Sequence, residues 1–253
     1  MRESVGVVIP TFNRPSETLR AVNSVLDQTC PVQQIIVVDD GSSHESKQEL
    51  SKMIKELPVQ LISTNGSKHP GIARNVGIEQ ITTSWVAFLD SDDWWIKEKI
   101  EVQLEAARRF STKAVCSNAK IVTNSGSKEI STNHKSGFLP RKQLIKRNQI
   151  VNSSVLLETE LLKKIGCVDS RYSMRGAEDY VTWLMISDHS NWFLCGDDLV
   201  NYQEDSYDSI RTNYAEPEID SHIQGLIGYI ERKNKNKISK KIIRKVLSSF
   251  ATI

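Results

Sequence analysis

Three carboxylates in four residues, Asp90-Ser91-Asp92-Asp93, follow directly on the apolar run Trp85-Val86-Ala87-Phe88-Leu89. Such a run reads as a buried strand, so the carboxylates fall at its carboxyl end. Their mutual repulsion in a low-dielectric setting is relieved by a divalent cation. Oxygen-only ligands favour Mg²⁺ or Mn²⁺ over zinc, and these ions take one or two carboxylates plus substrate phosphates. The competing reading is structural, with Asp92 or Asp93 capping a helix that opens at Trp94-Trp95. A second pair, Asp39-Asp40, ends the run Gln34-Ile35-Ile36-Val37-Val38, with Gly41 behind it as a turn signal. Between the two, Gly71-Ile72-Ala73-Arg74-Asn75-Val76-Gly77 brings a helix start and an arginine that can both address an anionic phosphate. Glu178-Asp179 opens a further helical pattern, where acids complement the helix dipole.

The elements that must position these residues alternate in type. Val5-Gly6-Val7-Val8-Ile9 predicts a buried strand stopped by Pro10, and Pro15 opens a helix carrying Leu19, Val22, Val25 and Leu26 on one side. Further strands are predicted at 34–38, 59–62 and 85–89, with helices between them, one of them over 71–81. This order argues for an α/β fold with a parallel, doubly wound sheet, in which ligands gather at the carboxyl ends of the strands. The second half is less regular. A helix is predicted over 96–110, a strand near 114–117, a polar loop over 124–137 and a strand over 154–157. Helices follow over 160–165, closed by Gly166, and over 178–187. The sheet is expected to continue with mixed strands into one unit without a flexible linker.

The 253 residues are of average globular composition, which excludes disordered, collagen-like and disulfide-scaffold classes. No apolar run approaches the roughly 18 residues of a spanning helix, and no signal-peptide core precedes Thr11. Cys30, Cys116, Cys167 and Cys195 are widely spaced and read as reduced, buried thiols, while the scattered histidines show no metal-ligand spacing. The net charge of +2 conceals an asymmetry. Eight lysines and arginines and no acids lie from Arg232 onwards, leaving 25 bases against 31 acids in residues 1–231, a net of −6. In that tail Ile238, Ile242, Val246 and Phe250 recur every four residues among lysines and arginines, a basic amphipathic pattern. A membrane surface, a nucleic acid and the body of the protein are the three candidate partners. The acidic body and the absence of any nucleic-acid-reading motif disfavour the second.

Taken together, Val8-Ile9-Pro10-Thr11-Phe12-Asn13-Arg14, Val38-Asp39-Asp40-Gly41-Ser42, Ala73-Arg74-Asn75-Val76-Gly77, Leu89-Asp90-Ser91-Asp92-Asp93-Trp94 and Gly176-Ala177-Glu178-Asp179 resemble, in order and spacing, the motifs of family 2 glycosyltransferases. The likeness covers about residues 4–205. It implies a GT-A fold, a Rossmann-like and mostly parallel central sheet flanked by helices with a mixed acceptor-side half. Residues 1–97 would form the nucleotide-sugar-binding half, 98–215 the acceptor-binding half and 216–253 the basic tail. By the same resemblance, Pro10, Thr11 and Phe12 line a base pocket, with Phe12 stacked on uracil and Arg14 close by. Asp39 and Asp40 read base and ribose, and Arg74 faces the nucleotide or diphosphate. Asp90 and Ser91 touch ribose or donor sugar, and Asp92 ligates Mn²⁺ or Mg²⁺. Asp179 would take the acceptor proton, with Glu178 as the alternative base or an orienting partner. Asp93, Arg175 and Gly176 would contact the acceptor. Trp94, Trp95, Trp183 and Trp192 read first as core residues, with Trp94 and Trp95 beside the acidic loop and Trp183 in the 178–187 helix the better placed for contact with the acceptor sugar.

The implied reaction is inverting transfer of one hexose, galactose or glucose, from a UDP-sugar to a GlcNAc-diphosphate-lipid type of acceptor in O-antigen or other bacterial surface polysaccharide synthesis. Transfer of GlcNAc or GalNAc and a non-catalytic sugar-nucleotide-binding protein are the alternatives. The processive members' spans and Gln-x-x-Arg-Trp motif are missing here, which implies single addition. A lipid-borne acceptor makes the cytoplasmic face of the inner membrane the expected location, reached peripherally through the tail.

Overall fold

In the computed structural model, residues 3–123, 130–204 and 221–234 are described. The first half runs β1 (Val5–Thr11), α1 (Pro15–Leu26), β2 (Gln34–Asp39), α2 (His44–Ile54), β3 (Gln60–Ser63), α3 (Pro70–Gln80) and β4 (Trp85–Phe88). The second half runs β5 (Trp94–Trp95), α4 (Lys99–Phe110), β6 (Ala114–Val122), β7 (Ile130–Ser131), β8 (Gly137–Leu139), α5 (Arg141–Lys146), β9 (Leu156–Glu158), α6 (Thr159–Lys164), α7 (Glu178–Ser187), β10 (Trp192–Gln203) and α8 (Ser221–Asn234). All ten described strands join one sheet in the order β3-β2-β1-β4-β9-β6-β10-β5, with β7 on β6 and β8 on β10.

β3, β2, β1 and β4 are parallel; the Val/Ile runs of β1 and β2 and the apolar Trp-Val-Ala-Phe of β4 suit strands buried on both faces, while β3 at the sheet edge is partly exposed. β9 is antiparallel to both β4 and β6, and this strand joins the parallel half to the mixed one. On one face Val8, Ile36 and Phe88 pack with α3, α6, α7 and α8; on the other Val7, Ile9 and Val37 pack with α1, α2 and α4.

Pro10 does not stop β1, which continues to Thr11. Even-numbered residues of β1 bond towards β4, as Leu89 N–H to Val8 C=O and Trp85 N–H to Ser4 C=O show. The last β1–β4 register pair is Val8 with Phe88, so Pro10 lies on that side beyond the ladder and its missing N–H costs no bond. Pro15 does open α1. At α3, a Cβ on Gly77 would lie 2.4 Å from Val8 Cγ1, so only glycine lets this helix approach β1 so closely. α6 ends in a Schellman pair, with Gly166 N–H on Lys163 C=O and Cys167 N–H on Leu162 C=O.

The helix predicted from 96 starts instead at Lys99. Trp94 and Trp95 pair with Asn201 and Val200 of β10, and Ile96 N–H donates to Leu199 C=O. Neither Asp92 nor Asp93 therefore caps a helix there. Within the predicted loop 124–137, residues 130–131 form a strand on β6, and Thr132 N–H bonds Ala119 C=O. Residues 124–129 lie outside the described residues. The tail pattern at 238–250 also lies outside them, but Arg232 and Lys233 are described, and both pack on the body. Arg232 donates to the carbonyls of Ile165, Gly166 and Cys167 at the end of α6, and Lys233 donates to Asp188. Among the described residues no helix is long and apolar enough to cross a membrane.

Candidate active site

The carboxyl edge of β1, β2 and β4 gathers the first cluster. Thr11 and Asp39 are register partners, Asp40 N–H donates to Thr11 C=O at 2.9 Å, and Asp90 follows β4 at the same edge. Asp39 is 1% exposed, and its Oδ1 accepts from Ser42 N–H at 3.1 Å. Among the described residues nothing hydrogen-bonds its Oδ2. A buried carboxylate oxygen without a donor is costly, so this atom suits a ligand that brings an N–H or O–H. Phe12, one residue beyond Thr11, is 43% exposed. Thr11 itself is buried against the Thr18 hydroxyl at 2.7 Å, and Pro10 is partly buried behind it.

Asp40 is bound differently from its neighbour. Its Oδ1 accepts from Thr64 Oγ1, Ser67 N–H and Ser67 Oγ at 2.6–2.9 Å, which ties the end of β2 to the loop entering α3. Gly41, at φ +82°, makes the tight turn, and a Cβ on it would sit 2.5 Å from Gly66 Cα. Asp39 is thus left with an open oxygen, whereas Asp40 holds the loop.

Arg74 is buried and joins two motifs. Its Nη2 donates to Asp90 Oδ1 at 2.7 Å and its Nη1 to Glu178 Oε1 at 3.1 Å. Burial disfavours the charged guanidinium, but Asp90 and Glu178 outweigh that cost, Asp179 adds to them, and Arg74 is held more firmly protonated than usual. The sequence expectation placed Arg74 against the nucleotide; here it is the bridge between the two carboxylate motifs. Asn152 Nδ2 also donates to Asp90 Oδ1, at 3.0 Å.

The remaining members of the Asp90–Asp93 loop point in different directions. Asp92 pairs with Arg14 at 2.5 Å and its carbonyl accepts from Arg20 Nη2. Ser91 is buried. Asp93, expected to meet the acceptor, is fully buried and turned inward: it accepts from Ser153 Oγ and from Gln203 N–H. Burial, then Asp92 and Asp90, push its carboxyl well above the usual range, although both hydrogen bonds oppose this. Ser153 Oγ also accepts from Asp90 N–H, so one hydroxyl links the loop's first and last carboxylate residues.

The acceptor-side tryptophans likewise separate. Trp183 is wholly inside, packed on Phe88 and Trp192, and so presents no surface to a sugar. Trp95 is also buried, with its indole N–H on Ser153 C=O and Lys99 Nζ over its ring. Trp94 remains partly exposed beneath the Arg20 guanidinium. Arg175 is partly buried and Gly176 exposed, at φ +84°, with its N–H on Glu178 Oε2 at 2.6 Å. α7 starts at Glu178, as expected from the acids in its first turn. Glu178 is buried and committed to Arg74 and Gly176, whereas Asp179 is partly exposed, with Oδ1 accepting from Tyr180 N–H.

Sequence reasoning missed Asn152, Ser153 and Arg20. The first two lie just before the strand predicted over 154–157 and carry no local signal; their contact with the Asp90 loop depends on the antiparallel return of β9. Arg20 had a usable signal, a basic residue on the first turns of the helix that follows the β1 motif.

The donor set fits a hard divalent ion only in part. All candidate ligands are oxygens, but among the described residues no group of three or more His, Cys, Asp or Glu is arranged to hold a metal. An ion held through one carboxylate, Asp92, would need the rest of its ligands from a substrate diphosphate.

The sheet order and helix layers define a GT-A fold. Staphylococcus aureus TarS in complex with UDP-GlcNAc superposes with a TM-score of 0.76 at 19% identity, over 98% of this chain and 71% of that one. The chain belongs to glycosyl transferase family 2, whose family model matches residues 6–160. Among curated relatives, TuaG of Bacillus subtilis, named as a teichuronic acid biosynthesis glycosyltransferase, is 29% identical over 185 residues, 72% of this chain and 71% of that protein. WfgD of Escherichia coli, named UDP-Glc:alpha-D-GlcNAc-diphosphoundecaprenol beta-1,3-glucosyltransferase, is 25% identical over 193 residues, 74% of this chain and 71% of that one. An uncharacterized glycosyltransferase of Rickettsia felis is 38% identical over 101 residues, which span 40% of this chain but only 17% of that protein.

Proposed function

We propose that this protein is an inverting glycosyltransferase that moves one hexose, glucose or galactose, from a UDP-sugar to a lipid-diphosphate-linked saccharide. The observation that carries the reading is the convergence at one sheet edge of Asp39, with its unpartnered buried oxygen, and the Asp90 loop, joined through Arg74 to the start of α7. The names of WfgD and of the TarS complexes support the choice of a UDP-sugar, and that of WfgD the lipid-linked acceptor.

Phe12 is exposed at the mouth of the edge and stacks on the base, while Asp39 Oδ2 accepts from the base N–H. Asp90, held by Arg74 and Asn152, borders the ribose and donor sugar. Asp92 holds Mn²⁺ or Mg²⁺, which when bound neutralises the charge growing on the departing diphosphate. Inversion needs an acceptor hydroxyl attacking opposite the diphosphate and losing its proton as the bond forms. Asp179 takes that proton. Glu178, committed to Arg74 and to Gly176 N–H, holds the start of the helix that carries Asp179. Partly exposed Trp94 remains the aromatic surface for an acceptor sugar.

A donor screen by UDP release, with a synthetic GlcNAc-diphosphate-lipid as acceptor, tests the reading. UDP release on a hexose donor that is lost in Asp179→Asn supports it; release of pyrophosphate in its place would indicate nucleotidyl transfer and overturn it. For the tail, binding to anionic liposomes that is lost when Lys235, Lys237, Lys240 and Lys241 are changed to Gln supports peripheral membrane contact. Unchanged binding removes it.

A further inference from the structure

We propose that Arg14 is an internal stand-in cation for Asp92, which it releases only when a divalent ion arrives together with the donor diphosphate. The inference rests on the metal-assisted reading of the site above and adds to it a coupling between ion and donor binding.

The β1–α1 turn is built to aim Arg14. Asn13 takes a left-handed conformation, φ +53°, and is fastened on both sides to the neighbouring turn. Its N–H donates to Ser42 Oγ and its Oδ1 accepts from Ser43 N–H, each at 2.8 Å. With the turn fixed, Arg14 reaches across the sheet edge to Asp92 Oδ2, 78 residues away, in a pair whose side chains are both only 17% exposed. Six residues on, Arg20 holds the carbonyl of the same aspartate and lies 4.0 Å from the Trp94 ring centroid. Arg20 therefore holds the backbone of the loop, and Arg14 takes one carboxylate oxygen.

The consequence is electrostatic. Asp90 is already matched by Arg74 and Asp93 is turned inward, so Asp92 is the carboxylate of this loop left to meet an ion. While Arg14 holds it, a dication must break a mostly buried, charge-assisted hydrogen bond and leave a guanidinium without an anion. A nucleoside diphosphate changes this balance. It brings its own negative charge, shares ligation of the ion, and offers Arg14 a phosphate in exchange for Asp92. Ion and donor then bind cooperatively, because each removes a cost the other would meet alone.

The test is Mn²⁺ binding by the full chain, followed by the spin-resonance signal of the free ion, with and without UDP. In the unmodified protein UDP should tighten Mn²⁺ strongly. In Arg14→Gln, donor-free Mn²⁺ binding should tighten about ten-fold or more, as removal of a competing charged hydrogen bond implies, and the gain from UDP should shrink. Adding Asp92→Asn to Arg14→Gln should abolish the donor-free binding. Arg14→Lys, a gentler change, should give a smaller rise in the same direction and serves if Arg14→Gln melts early by circular dichroism. If UDP promotes Mn²⁺ uptake in the unmodified protein but neither variant gains donor-free affinity, the stand-in role is overturned and the metal-assisted site survives. If UDP promotes no uptake in any of them, the metal-assisted site fails and the stand-in role fails with it.

Discussion

Arg74 and Glu178 lie 104 residues apart in the chain and meet at 3.1 Å inside the protein, while the other arm of the same guanidinium holds Asp90 at 2.7 Å. One side chain therefore sets the distance between the loop that follows β4 and the helix start that carries Asp179. Removing it leaves Glu178 buried without a counter-charge. Arg74→Ala should destabilise the protein by about 3–5 kcal/mol in urea unfolding. Arg74→Lys should recover only part of this, because a single ammonium cannot span two carboxylates as the guanidinium fork does.

The two acids at the start of α7 should separate kinetically. Asp179→Asn should lower kcat about 10²–10⁴-fold with UDP affinity and melting temperature nearly unchanged, as for loss of a general base. Glu178→Gln should lower the melting temperature as well, since it weakens the bridge to Arg74. Steady-state kinetics beside thermal melts distinguish the two, and equal melting losses in both variants would contradict the division of roles.

Lys99 supplies a pH test away from the site. It is fully buried, with Nζ on Gln103 Oε1 at 2.7 Å and 4.0 Å from the Trp95 ring centroid. Burial lowers its pKa to about 7, although Cys195 and Cys116 pull the other way. The unfolded chain, with an ordinary lysine, binds this proton between about pH 7 and 10.5 while the folded chain does not, so Lys99 makes stability rise with pH across that window. The stability of wild type relative to Lys99→Met should accordingly climb with pH above 7, by on the order of 1.4 kcal/mol per unit. Denaturant melts of both proteins at pH 7 and 8.5 read this directly; a flat difference contradicts it.

Gly77→Ala tests the packing that places Arg74. The added Cβ would meet Val8 Cγ1 at 2.4 Å and Cγ2 at 3.1 Å. Alanine is the better helix former by about 1 kcal/mol, but pushing α3 off β1 should cost about 1–3 kcal/mol. A net loss in urea unfolding, with weaker UDP binding because Arg74 moves with its helix, is the expected result.

Much of the first half is legible in the chain because each element carries local signals that agree. Apolar runs mark β1, β2 and β4, Pro15 opens α1, and acids fall where strands end. The second half speaks less plainly. Trp94-Trp95 has the look of a helix entry until β10 pairs with it, and Ser153 has no local mark of its contact with Asp93. Such residues acquire their roles from partners more than fifty positions away, and no periodicity reports a partner of that kind.

By itself the sequence determined the alternation of strand and helix, the placing of Asp39, Asp40 and Asp90 at strand ends, and the family, because these follow from apolar runs, turn residues and motif order. The tertiary structure alone decided which carboxylates are engaged within the protein and which keep an open oxygen. Asp39 keeps an open oxygen while Asp40 is consumed by Thr64 and Ser67. Asp92 lies under Arg14 while Asp93 turns inward to Ser153 and Gln203. Neighbouring acids of identical chemistry take different tasks because burial and hydrogen-bond donors are distributed by the packing of distant strands, and only the folded sheet brings those donors to one side of each residue.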